Sequence, residues 1–152
     1  MSSTHAAAPR VQVRRTFQAP PERVFNAWID PALMSKWFAR APGTPPGVVV
    51  TADARPGGQY AVDVTGTNGK TYRMQGEYRE VTPYSRLSFT WFYKGGDFPA
   101  PSLITIEFHP AENGATDLVL THEQLPVSQV EPHRVGWLEC LAMLESALAG
   151  AI

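Results

Sequence analysis

Ser128 to Ala149 reads SQVEPHRVGWLECLAMLESALA. Val130, Trp137, Leu141, Leu144 and Leu148 recur at spacings of three, four and seven, and His133 stands one turn before Trp137, so the segment predicts an amphipathic helix with one apolar stripe. Such a helix is marginal alone in water, whereas burying Trp137 with three leucines is worth on the order of 10 kcal/mol before entropy is charged against it. The stripe therefore needs a partner, and because the chain upstream is mostly strand-like, the partner is a sheet. Ser128 with Glu131 fits a capping box, but Pro132 has no N–H and suits a first turn, which predicts a start near Glu131 after a short irregular turn. Gly150 supplies the stop.

Working back from that helix, six strand-like runs precede it: Val48 to Ala54, Gln59 to Thr65, Lys70 to Val81, Arg86 to Lys94, Leu103 to His109 and Thr116 to Glu123. Pro56, Gly57 and Gly58, then Asn68 and Gly69, then Pro83, then Asn113 and Gly114 mark the joints, and joints this short imply antiparallel hairpins. Alternation places Leu87, Phe89, Trp91 and Tyr93 on one face, together with Ile104, Ile106 and Phe108, and with Leu118, Leu120 and His122. Those faces should meet the helix. Gly76 removes a side chain where a backbone or ligand can come close, or else marks a bulge. Arg73, Glu77 and Arg79 occupy the other phase and read as a solvated outer face.

At the front, Val11, Val13 and Phe17 alternate with polar residues from Arg10 to Gln18, a strand whose pattern Arg15 breaks. PPERVFNAWID then reads as a short helix opened by prolines, and Asp30 before Pro31 caps a second one through Phe38. Ala39 to Gly47 is too rich in proline and glycine for either element and predicts a loop at the rim of a site. The order is strand, two short helices, six strands and a long helix, an α+β arrangement with helices on one face of an antiparallel sheet.

The 152-residue chain is long enough for one domain with a real core, expected over residues 10–150 behind a flexible tail of residues 1–9. A net charge of −1 argues against a nucleic-acid partner, which would call for a basic face. Cys140 is the single cysteine, so no intrachain disulfide forms, and a reducing cytoplasm fits. The first nine residues carry no basic leader or secretory apolar run, and nothing reaches the length of a membrane span. The histidines show no zinc spacing, and nucleotide-cradling and nucleophile-elbow motifs are absent, so neither a metal nor a cofactor is expected.

PPERVFNAWIDPALMSKWF, GGQY, GEYREV, RLSFTW, TIEF, THEQLP and HRVGWLECL, in this order, resemble the activator of heat-shock-protein-ninety ATPase homologue-like family of the START-like (SRPBCC, Bet v 1-like) superfamily. The resemblance covers roughly Arg10 to Leu148. It implies the helix-grip fold, in which a curved antiparallel sheet of six to seven strands grips the C-terminal helix around a cavity. It also implies that the cavity lies under His133 and Trp137, facing Trp91 and Tyr93. The superfamily holds lipid and hormone binders, cyclases and dehydratases, and co-chaperone domains, so the resemblance does not choose among them.

Three functions compete. The first is binding of a small hydrophobic or aromatic molecule, with Trp37, Phe38, Tyr60, Tyr78, Trp91, Tyr93, His122, His133 and Trp137 lining the site, since aromatic walls supply area while a few polar groups set orientation. The aromatics are also open to a reading as ordinary core, which is favoured for Trp137, and His133 to one as a neighbour that satisfies a backbone carbonyl. The second is a cyclase or hydratase in which His122 and His133 transfer protons; Glu123 lies on the opposite phase and cannot assist His122. The third is a co-chaperone acting on a chaperone ATPase. Full-length activators carry a further domain ahead of this one, and only a short tail precedes Arg10 here, which ranks that reading last. A monomer and a homodimer are equally compatible with the sequence.

Overall fold

In this computed structural model, residues 10–38, 48–65, 69–94 and 101–149 are described. The elements run β1 (Arg10–Phe17), α1 (Pro21–Ile29), α2 (Pro31–Trp37), β2 (Val48–Ala52), β3 (Gln59–Thr65), β4 (Thr71–Thr82), β5 (Arg86–Lys94), β6 (Ser102–Pro110), a 3₁₀ turn at Glu112–Gly114, β7 (Thr116–Glu123) and α3 (Val127–Ala149). The strands form one seven-stranded sheet in the order β1-β7-β6-β5-β4-β3-β2, antiparallel throughout. Strands β2 to β7 pair in sequence order, as short joints require, and β1 closes the order by pairing with β7, Val11 opposite His122 and Val13 opposite Leu120. The antiparallel sheet and long C-terminal helix are those that the strand and helix patterns predict, and the sheet's open curve is the one the family resemblance implies.

The register explains which face is inside. Leu87 pairs with Ile106, and Ile106 with Leu120, so one phase of β5, β6 and β7 forms a continuous apolar row, all three residues fully buried. The stripe of α3 lies in the same core through Trp137, Leu141, Leu144 and Leu148. Arg15, which interrupts the alternation of β1, occupies an inward position of an edge strand and reaches Glu145 of α3 at 2.8 Å. Arg23 of α1 caps the far end of α3, its guanidinium donating to the Leu148 carbonyl at 2.6 Å. The proline-opened pair also forms as predicted: Asp30 accepts from the Ala32 N–H at 2.9 Å, and α1 buries Val24, Phe25, Ala27 and Trp28.

Two local expectations fail. The long helix does not start near Glu131: it begins at Val127, directly after the irregular link of Gln124 to Pro126, in which Gln124 has a φ of 66°, and Pro132 lies inside it. The missing N–H leaves the Ser128 carbonyl without its helical donor, and Ser128 is exposed, so water can meet it. Nor does the bulge of β4 fall at Gly76: the register slips between Tyr78 and Glu80. The expected loop of Ala39 to Gly47 and the N-terminal tail lie outside the described residues.

Candidate functional site

A directed chain of hydrogen bonds ties α3 to the sheet. Trp137 Nε1–H donates to His122 Nδ1 at 3.0 Å. An indole nitrogen can only donate, so Nδ1 carries the lone pair and the proton of the neutral imidazole sits on Nε2. That Nε2–H donates to Ser102 Oγ at 2.7 Å, and the Ser102 hydroxyl in turn donates to the Trp91 carbonyl at 3.3 Å. His122 is completely buried. Burial, and secondarily the charge of nearby His133, lowers its pKa to about 3, so it is neutral across the physiological range. His133 is half-buried, its ring edge-on to His122 with centroids 5.1 Å apart, and its Nδ1–H donates to the Gln129 carbonyl one turn back at 2.9 Å.

Around this chain the aromatic residues converge. Trp137 stands 5.5 Å from Trp91, 6.1 Å from Phe38 and 6.2 Å from Trp28, measured between ring centroids. Trp28 meets Trp37 at 4.7 Å, edge to face, and the Trp37 indole N–H donates to the Ala27 carbonyl at 3.0 Å. These contacts join α1, α2, β5 and α3 through edge-to-face and tilted rings, geometries that the ring quadrupole favours.

A second group lies over β3 to β5. Tyr60 and Tyr78 are 5.6 Å apart, and Phe89 is 5.3 Å from Tyr60. The Tyr60 hydroxyl donates to the Thr90 carbonyl at 2.6 Å, crossing β4 at Gly76. A Cβ at Gly76 would collide with the Thr90 carbonyl and lie 2.8 Å from Tyr60 Cε1, so a glycine is required by a close approach of both backbone and ring. The ladder is open at this point, where the Glu77 N–H donates to the Thr90 hydroxyl at 2.8 Å. Burial raises the Tyr60 phenol well above its ordinary value of 10.0 and that of Tyr78 to about 12, so both remain protonated. Trp28, Met34, Phe38, Tyr60, Tyr78 and Phe89 border a void of about 10 Å³.

The order of elements, the single sheet and the inward Trp137 can now be set against known proteins. The family model described as Activator of Hsp90 ATPase homolog 1-like protein matches residues 18–149. The chain belongs to this family. Among solved structures, a protein of Chromobacterium violaceum is 29% identical with a TM-score of 0.74, over 91% of this chain and 95% of that one. A protein of Rhodobacter sphaeroides is 25% identical with a TM-score of 0.78, over 98% of each chain. An HSP90 activator from Plasmodium falciparum shares the fold at 23% identity and a TM-score of 0.73, over 93% of this chain and 97% of that one. Comparison with curated proteins gives no match.

For this member of the Hsp90-activator-like family, the structure brings together most of the residues singled out by sequence. Trp37, Phe38, Trp91, His122, His133 and Trp137 form one neighbourhood, and Tyr60 with Tyr78 forms the adjoining one. Tyr93 stands apart, only half-buried, with Tyr72 as its ring partner at 6.3 Å. Sequence reasoning passes over Ser102, the relay between His122 and the Trp91 carbonyl; a serine in phase with Ile104, Ile106 and Phe108 is the signal that exposes it. It also passes over Met34 as a bordering residue. Among the described residues no group of histidine, cysteine or carboxylate side chains could hold a metal ion, and no helix is long and apolar enough to cross a membrane.

Proposed function

We propose that this chain binds a small, largely apolar molecule between its sheet and α3, with Trp37, Phe38, Tyr60, Tyr78, Trp91, His122, His133 and Trp137 as the candidate lining. The observation that carries this reading is the meeting of aromatic side chains from both short helices, the central strands and α3, with few polar groups among them. Such a composition suits a flat hydrophobic ligand oriented by a few hydrogen bonds. His122 supports a binder over a cyclase or hydratase: its single lone pair is taken by Trp137 and its proton by Ser102, so it has nothing free to accept a proton at neutral pH.

The family description favours one alternative, stimulation of a chaperone ATPase through the protein surface. Native mass spectrometry of the purified protein separates the two. A bound small molecule that is released on denaturation is the expected result. A protein that carries none, gains none from a library of apolar aromatics, and accelerates Hsp90 ATP hydrolysis would replace the binding reading with the co-chaperone one.

A further inference from the structure

Trp28 Nε1–H is a buried donor with no partner among the described residues, on a side chain only 1% exposed. Buried indole N–H groups normally find an acceptor, because leaving a donor unpaired forfeits its hydration without return. Trp37 illustrates the rule one helix away by donating to the Ala27 carbonyl. Trp28 also borders the void of about 10 Å³ shared with Met34, Phe38, Tyr60, Tyr78 and Phe89. One indole thus carries an unpaired donor and also borders an unfilled space, and an acceptor from outside the chain would answer both.

We propose that this void is the deep end of the ligand site, and that the ligand is a neutral, flat molecule whose one inner oxygen, a ketone or ether, accepts from Trp28 Nε1–H. The inference rests on the binding reading above and specifies its ligand. Neutrality follows from the bordering residues, none of which is a cation, so a carboxylate or phosphate would be buried without a counter-charge. An acceptor is called for because Trp28 can only donate and the Tyr60 hydroxyl proton is already committed to the Thr90 carbonyl. Tyr60, Tyr78 and Phe89 are held on strands and form a fixed wall. Met34, unbranched and adaptable, and Phe38, at the end of α2, are the side chains that yield to admit a ring.

The test compares acetophenone with α-methylstyrene, which has the same shape but a methylene where the ketone has its oxygen. The indole N–H resonances of ¹⁵N-labelled protein are followed by NMR, with Trp28 assigned in the wild type from its through-space contacts with Trp37 and Phe38. Acetophenone should move the Trp28 N–H resonance downfield, as acceptance of a hydrogen bond requires, while α-methylstyrene leaves it near its free position. Trp28→Phe should weaken acetophenone about 10-fold, the scale of one hydrogen bond, and α-methylstyrene less than about twofold. If both probes bind and the Trp28 resonance ignores both, the cavity reading stands and this inference falls. Binding by neither probe removes both. A Trp28 N–H that exchanges magnetisation with one trapped water, undisturbed by acetophenone, would make the void a water site and overturn the proposal. The wild-type spectra decide the matter even if Trp28→Phe fails to fold.

Discussion

Trp137 Nε1 and His122 Nδ1 are 3.0 Å apart, and this one contact joins the centre of the long helix to the inner face of β7 while fixing the tautomer of a fully buried histidine. Packing and hydrogen bonding at Trp137 can therefore be separated. Trp137→Phe retains a ring but leaves His122 Nδ1 buried without a donor, which should cost about 1 to 3 kcal/mol. Trp137→Ala also opens a cavity against Trp91 and Phe38 and should cost about 3 to 5 kcal/mol. Urea unfolding midpoints measure both, and a loss under about 1 kcal/mol for the alanine variant would contradict burial of this residue in the core.

The same histidine makes stability depend on acid. Its pKa is lowered from 6.5 to about 3 by burial and by His133, so the unfolded chain takes up the proton first as the pH falls. The stabilisation is complete above about pH 6.5, and is lost progressively as the pH drops toward 3, at up to about 1.4 kcal/mol per pH unit for one proton. The difference in unfolding free energy between wild type and His122→Gln isolates this contribution from that of the carboxylates. It should shrink or reverse between pH 6.5 and 4, and a constant difference would mean that His122 titrates normally.

How far such features are visible before the fold is known depends on whether their cause is local. The strands, the Asp30 cap and the stripe of α3 are set by alternation, turn residues and helical spacing, and each is legible from its own neighbours. Arg15 is not: its inward position makes sense only because β1 is an edge strand with Glu145 of α3 beside it, 130 residues along the chain. Pro132 misleads because a helix start is normally where proline sits, whereas here α3, packed through Trp137, Leu141, Leu144 and Leu148, runs on through a lost bond near its exposed first turns. At the site, strand phase and helical spacing are enough to bring His122 and His133 together. The bond between Ser102 and His122 and the orphaned Trp28 donor depend on cross-strand register and on side-chain orientation, which no single segment encodes.

Two glycines give opposite expectations. At Gly76 an added methyl collides with the Thr90 carbonyl on the neighbouring strand, so Gly76→Ala should destabilise by about 1 to 3 kcal/mol or more as β4 and β5 separate and Tyr60 is displaced. At Gly136, exposed in the interior of α3, a Cβ meets nothing within 4 Å, so Gly136→Ala should stabilise by about 0.5 to 1 kcal/mol through helix propensity alone. Thermal melts of the pair check both, and equal effects would contradict the close approach at Gly76.

Binding and catalysis separate at His133, whose half-buried ring lies against His122 with its Nδ1–H held by the Gln129 carbonyl. Glutamine keeps hydrogen-bonding groups but does not titrate near neutrality, so a binding protein should lose at most about 1 to 2 kcal/mol of ligand affinity in His133→Gln. An enzyme that uses the imidazole for proton transfer should lose turnover about 100-fold or more while still holding its substrate. The affinity of His133→Gln for a ligand recovered from the native protein, measured beside any conversion of that ligand, distinguishes the two. The modest affinity loss is the expected result, because His122, whose ring stands edge-on to His133, is itself held neutral and fully bonded and so cannot serve as the matching acid or base.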